Sequence, residues 1–210
     1  MENILEEHKK SEGIFTPGFI KSFREIFRPV SFVLYKMGVT PNHVTIASFF
    51  LAIVCSIYLA LDRLWLGLFI GLIAGFSDII DGQLAKDYYT PTKLGGILDS
   101  VIDRYNEFFV YAGLGFRYYI LERPFWVLLS AFVFLGSVMI SYVKARAEAD
   151  GVSCKVGKFQ RPERLAVMAV GLLFLDIGVD VAVILLAVLT QWTVLQRFMY
   201  VSRELLNNKS

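Results

Sequence analysis

The sequence predicts an all-α integral membrane protein: six transmembrane helices preceded by an amphipathic surface helix. Two observations lead there. Of the 210 residues 56% are hydrophobic and 19% charged, and the apolar residues gather into runs near the ~20 residues that a helix needs to cross a bilayer. Six such spans would consume about 120 residues and leave no room for a separate soluble domain. The expected layout is a polar tail over 1–17, one membrane domain over 18–205 and a short tail over 206–210. Lys and Arg number 21 against 19 Asp and Glu, too balanced to imply a nucleic-acid partner. Cys55 lies in an apolar run and Cys154 in a charged loop, so neither a disulfide framework nor a metal site is expected from them. The charged stretch Met1 to Glu12 has no apolar segment behind a basic start, unlike a cleaved signal peptide.

Taken in order, Gly18 to Lys36 mixes Phe19, Phe23, Ile26, Phe27 and Val30 with Lys21, Arg24 and Arg28, the spacing of a helix lying along a membrane surface. The spans follow at Asn42 to Leu61, Trp65 to about Leu84, about Leu94 to Tyr119, Pro124 to about Val143, Leu165 to Leu175 with its flanks, and Val179 to about Tyr200. If the amino terminus is cytoplasmic, six spans place only Arg63, Arg117 and Arg123 outside and every other basic residue at or near the inner face. That bias puts both termini inside, in a cell membrane. Gly71 and Gly75 form a GxxxG that fits either a dimer face or close packing within one subunit.

Ionisable groups inside spans are costly and are read as functional. Asp78 and Asp81 stand at i and i+3 near the end of the second span, and Asp99 and Asp103 at i and i+4 near the start of the third. Each pair shares a helix face. The two spans are antiparallel and joined by a short loop, so all four carboxylates can converge near the cytoplasmic surface, where they would repel without a cation among them. Oxygen donors without His or Cys suit a hard divalent ion, Mg²⁺ before Mn²⁺ or Ca²⁺. His8 and His43 lie too far off in the pattern to join them. Pairing with Lys86, Lys93 and Arg104 is the simpler structural alternative. A proton or cation transporter is another, but it would place the acids near the bilayer midplane between repeated halves, and the sequence has neither feature. Gly82 after Asp81, and Gly95 with Gly96 before Asp99, clear space for a bulky ligand or for close helix packing.

The full pattern, Asp78-x-x-Asp81-Gly82-x-x-Ala85-Lys86 followed by Gly95-x-x-x-Asp99-x-x-x-Asp103, resembles the signature of the CDP-alcohol phosphatidyltransferases, an integral-membrane family. The family has Arg where this chain has Lys86, which keeps the charge but not the planar fork. The resemblance implies a six-helix fold with a surface helix in front, and a reaction in which the hydroxyl of a small polar alcohol attacks the lipid-linked phosphorus of a CDP-lipid and CMP leaves. It implies one Mg²⁺ (or Mn²⁺) held by Asp78, Asp81 and Asp99, a second by Asp78, Asp99 and Asp103, and Asp103 as proton acceptor. It further implies nucleotide contacts at Pro41, Asn42, His43, Val44, Gly82, Ala85, Lys86 and Thr92, and a homodimer. Pro41 and Asn42 also read as a helix start, with Thr40 or Asn42 as the cap.

Six basic residues fall between Lys144 and Arg164 against three acids. Lys144, Arg161 and Arg164 stand at the ends of the flanking spans, where a phosphorylated acceptor could be held. The wording Tyr142-x-Lys144-Ala145-Arg146-Ala147-Glu148, then Arg161-Pro162-Glu163-Arg164, resembles the branch of the family that uses inositol phosphate. It implies an acceptor-phosphate pocket at Lys144, Arg161, Arg164 and Arg197. Glycerol phosphate is the rival acceptor, since it would want the same positive pocket.

Overall fold

The structure is a computed structural model and describes residues 17–207. Of the expected tails over 1–17 and 206–210, residues 1–16 and 208–210, with His8, lie outside the described residues. Seven helices account for the described chain: α1 (Pro17–Lys36), α2 (Pro41–Ala60), α3 (Leu64–Asp87), α4 (Lys93–Ile120), α5 (Pro124–Ala149), α6 (Arg161–Leu173) and α7 (Leu175–Asn207). No strand occurs among the described residues.

Four of the helices, α2, α3, α5 and α7, are long and apolar enough to cross a membrane, so the protein is membrane-embedded. The third and fifth apolar runs behave differently. The third forms α4, which at 28 residues is long enough but carries Asp99, Asp103, Arg104, Glu107 and Arg117. The fifth becomes α6, only 13 residues, or about 20 Å against a hydrocarbon core of about 30 Å.

The chain divides into two compact units. One covers 17–131 and the other takes in 132–207. In the first unit, α2 packs along both α3 and α4, and α1 lies on α3. The α1 contact is aromatic: Phe27 meets Phe76 with ring centroids 5.1 Å apart, and Tyr35 stacks on Tyr88 at 4.7 Å. The start of α2 follows from its own sequence. Thr40 caps it by accepting from the His43 amide, the His43 ring accepts from the Thr40 amide in return, and Pro41 fills the first turn, where an amide hydrogen would go unused.

Helices α2 and α4 touch backbone to backbone. A Cβ placed on Gly113 would come within 2.5 Å of the Ser56 carbonyl oxygen, so only glycine permits this crossing. Gly71, read earlier as half of a GxxxG, faces the Cys55 sulfur of α2 and thus packs inside the unit. At the turn between α2 and α3, Asp62 adopts a left-handed conformation and accepts from Arg117 Nε of α4 at 2.6 Å. Arg117, expected at the outer surface, has a side chain only 2% exposed; the salt bridge to Asp62 meets part of the cost of burying that charge.

In the second unit α6 folds back against α7, with Gly178 packed on the Gly171 carbonyl. The loop before α6 is fastened to α7 by Arg197, whose Nε donates to the Val156 carbonyl at 2.9 Å and whose Nη1 donates to the Ile140 carbonyl of α5 at 2.6 Å.

The crossing at Gly113 predicts that Gly113→Ala lowers the melting temperature of the detergent-solubilised protein, by overpacking worth about 1–3 kcal/mol. Gly115→Ala, whose new methyl would meet nothing within 4 Å, should leave the melt unchanged or raise it slightly. Equal behaviour of the two variants would contradict the backbone contact.

Candidate active site

The α3–α4 hairpin delivers its acids as the helical spacing requires. Asp78 projects from α3, and Asp99 and Asp103 from successive turns of α4, so that each offers a carboxylate oxygen and the three lie within 4.8 Å of one another. Asp103 is buried to 9% exposure and has the Arg104 guanidinium at 3.4 Å. Of the three basic partners considered from sequence, Arg104 is therefore an ion-pair partner in the structure, though at a long, half-exposed contact. The donor set is oxygen only and close enough for its members to share an ion, which fits a hard divalent cation.

Asp81, the fourth acid, is not part of that group of three. It is 6% exposed, and its Oδ2 accepts from the Thr45 hydroxyl of α2 at 2.6 Å. Thr45 belongs to a buried polar layer that sequence reasoning did not single out. The Ser48 hydroxyl donates to the Thr45 carbonyl at 2.7 Å, and Asn106 of α4 donates from Nδ2 to Ser48 Oγ at 3.1 Å. A signal for this layer was present. Asn42, Thr45 and Ser48 recur every three residues along an otherwise apolar span, and Asn106 follows Asp99 and Asp103 on the same face of α4.

The residues expected to contact a nucleotide gather at helix starts and on α3. Thr92 caps α4, its hydroxyl accepting from the Gly95 amide at 3.0 Å. A Cβ on Gly95 would lie 3.0 Å from Thr92 Oγ1 and 3.3 Å from Asn42 Oδ1, so the beginnings of α2 and α4 meet there. Two helix amino termini side by side form a surface suited to anions. Asn42 and His43 are exposed, whereas Val44 is buried and contributes packing. On α3, Gly82, Ala85 and Lys86 share one face; Lys86 is exposed, and a Cβ on Gly82 would meet nothing within 4 Å. The space beside Gly82 is thus open, unlike the crowded surroundings of Gly95.

The second unit holds the basic residues. Lys144 is exposed and 3.8 Å from Glu148. Arg161 opens α6, and Arg164 is buried in its first turn with Nη1 directed at the Phe159 carbonyl. Arg197 is 4% exposed, and part of its guanidinium is committed to backbone carbonyls. Burial pushes the Cys154 thiol in the loop above its ordinary range, against the opposing pull of Arg197 and Lys144. Both cations therefore act on one point of this unit.

The CDP-alcohol phosphatidyltransferase family model matches residues 38–195, which include the hairpin carboxylates and most of both units. The chain belongs to the CDP-alcohol phosphatidyltransferase family. It is 32% identical over 199 residues to the archaetidylinositol phosphate synthase of Methanothermobacter thermautotrophicus, covering 90% of this chain and 99% of that one. It is 36% identical to the phosphatidylinositol phosphate synthase of Corynebacterium glutamicum, covering 84% of each. The phosphatidylinositol phosphate synthase of Mycobacterium tuberculosis, solved with CDP-DAG bound, superposes with a TM-score of 0.76 at 29% identity, over 84% of this chain and 94% of that one. A second structure of that enzyme, with manganese and citrate, gives 0.76 at 30% identity over 82% and 87%. As a family member this protein is a phosphotransferase enzyme of the membrane.

The cluster predicts that Asp99→Ala raises the dissociation constant for Mn²⁺, followed by electron paramagnetic resonance, at least ~10-fold. Asp87→Ala, on α3 but outside the cluster and bonded to Gln83, should leave it unchanged. Loss of Mn²⁺ from both variants alike would point to a general effect of surface charge.

Proposed function

We propose that this protein transfers the phosphatidyl or archaetidyl group of a CDP-lipid to inositol phosphate, releasing CMP and leaving a phosphatidylinositol phosphate type of lipid. The observation that carries this reading is the convergence of Asp78, Asp99 and Asp103 within 4.8 Å, in a chain that matches synthases of such lipids along most of its length. Residues 18–205 act as one catalytic domain with six spans. An amphipathic α1 lies on the membrane surface, the site and both termini face the cytoplasm, and the enzyme works as a homodimer.

In this reading Asp78, Asp81 and Asp99 hold one divalent ion, Mg²⁺ or Mn²⁺, and Asp78, Asp99 and Asp103 hold a second. Bound there, the pair supplies neutralisation of the diphosphate and of the charge that develops on departing CMP. The chain's own residues do the rest. Asn42, His43 and Thr92 at the two helix starts, with Pro41 and Val44 setting the first turn of α2, receive the nucleotide. Gly82 and Ala85 let it approach α3, and the Lys86 ammonium compensates charge on its diphosphate. Lys144, Arg161, Arg164 and Arg197 take the acceptor's phosphate. Asp103 accepts the proton of the acceptor hydroxyl as its oxygen bonds to the lipid-bearing phosphorus and the bond to CMP breaks. No covalent enzyme intermediate is formed.

Detergent-purified protein with Mg²⁺ and CDP-diacylglycerol, or its isoprenoid-ether counterpart, should release CMP on addition of inositol phosphate and not of glycerol phosphate or serine. Release with glycerol phosphate alone would reassign the acceptor, and none with any acceptor would remove the enzyme reading. Asp103→Asn should keep CDP-lipid binding and lose turnover by a factor of ~100 or more. Arg161→Ala should raise the inositol phosphate KM far more than the CDP-lipid KM; equal effects would place the acceptor pocket elsewhere. Gly82→Ala should fold normally, since its methyl meets open space, and raise the CDP-lipid KM.

A further inference from the structure

We propose that Thr45 is a positioning residue that makes Asp81 a one-oxygen ligand, and so sets the preference of the carboxylate site for small octahedral cations over calcium. The inference rests on the reading above that these carboxylates hold divalent ions. It begins from the contact between Thr45 and Asp81, the one aspartate of the signature that stands apart from the group of three.

The Thr45 hydroxyl has a single hydrogen and two acceptors in reach, Asp81 Oδ2 at 2.6 Å and the Pro41 carbonyl at 3.1 Å. The nearer, charged oxygen takes it, since a hydroxyl bonded to a carboxylate is shorter and about twice as strong as a neutral pair. Thr45 is 5% exposed and Asp81 6%, so water does not compete. Asp81 Oδ2 is engaged by this short bond, which favours Oδ1 as the oxygen turned to a cation.

Thr45 is itself held on two sides. Its branched Cβ restricts χ1, and its carbonyl accepts from Ser48, which in turn accepts from Asn106. The hydroxyl is thus fixed in a frame of α2 and α4 while it grips a side chain of α3. Calcium takes six to eight oxygens and readily draws both oxygens of a carboxylate, whereas Mg²⁺ demands an octahedron filled by single oxygens and water. For Asp81 to become bidentate, Oδ2 must turn toward the ion as well, which bends or breaks a short buried hydrogen bond. That cost falls on calcium and not on Mg²⁺ or Mn²⁺. Thr45 acts through Asp81, as outer partners of metal ligands commonly do.

The test uses the full detergent-solubilised chain without substrate. Free Mn²⁺ is followed by electron paramagnetic resonance while Mg²⁺ or Ca²⁺ competes for the protein. Wild type should prefer Mg²⁺. Thr45→Val, which removes the hydroxyl at nearly constant shape, should weaken Mg²⁺ binding about 10-fold and Ca²⁺ binding less, shifting the ratio of the two affinities toward calcium. Thr45→Ser should restore the wild-type ratio, and Thr45→Ala carries the same expectation as Val if the valine variant does not fold. An unchanged ratio in the hydroxyl-free variants overturns the proposal, whether the affinities hold or fall together, as does a serine variant that behaves like valine. If wild type binds none of the three cations, the metal reading itself falls. If wild type binds them and Asp78→Asn abolishes binding while the ratio ignores residue 45, only this inference falls.

Discussion

Like charge held at close range is the constraint from which the arrangement follows. Three carboxylates within 4.8 Å repel one another by about 3.5 kcal/mol per pair at an effective dielectric near 20, in a protein whose net stability would be of order 10 kcal/mol. The helices bring them together because their backbones are fixed by contacts made elsewhere: α2 against both α3 and α4, and the glycine crossing with Ser56. The Arg104 guanidinium, a third exposed and 3.4 Å from Asp103, screens its neighbour only weakly. Three oxygen donors at this range suit a hard divalent cation, whose charge would offset the repulsion.

Much of this was legible in the sequence because it is local. Helix periodicity dictates that acids three and four residues apart share a face, and a short loop dictates that adjacent ends of antiparallel helices meet. The cap at Thr40 with Pro41 behind it is likewise a matter of consecutive residues. The unreadable features are those whose partners are far away along the chain. Asp81 turns to Thr45, 36 positions earlier, and no spacing rule within the signature foretells that. The burial of Arg117 against Asp62, 55 positions away, depends on a left-handed turn that only the folded chain reveals. The six-span expectation met the same limit. Hydropathy sees composition but cannot tell how a charged 28-residue helix or a 13-residue one is accommodated once neighbours cover it.

The basic residues of the second unit show how one side chain can serve two ends. The family resemblance implies Arg197 as a contact for the acceptor phosphate. Its Nε and Nη1 donate to two backbone carbonyls, of Val156 in the loop and of Ile140 on α5. A lysine there would keep the charge and lose the geometry. Helix α5 and the loop that precedes α6 are therefore tied to α7 by the same planar group.

The backbone contact between Ser56 and Gly113 also defines a pivot. With no side chain between them, α2 and α4 meet directly at that point, and the Asn106–Ser48 bond ties them again nearer the carboxylates. Thr45 sits eleven residues from Ser56 along α2, about 16 Å at the rise of an α-helix, so a swing of about 5° would carry it some ~1.4 Å relative to α4. A change of crossing angle at that buried glycine would thus be magnified at the carboxylate-bearing end, where spacing on the scale of an ångström separates oxygens that can share one cation from oxygens that cannot.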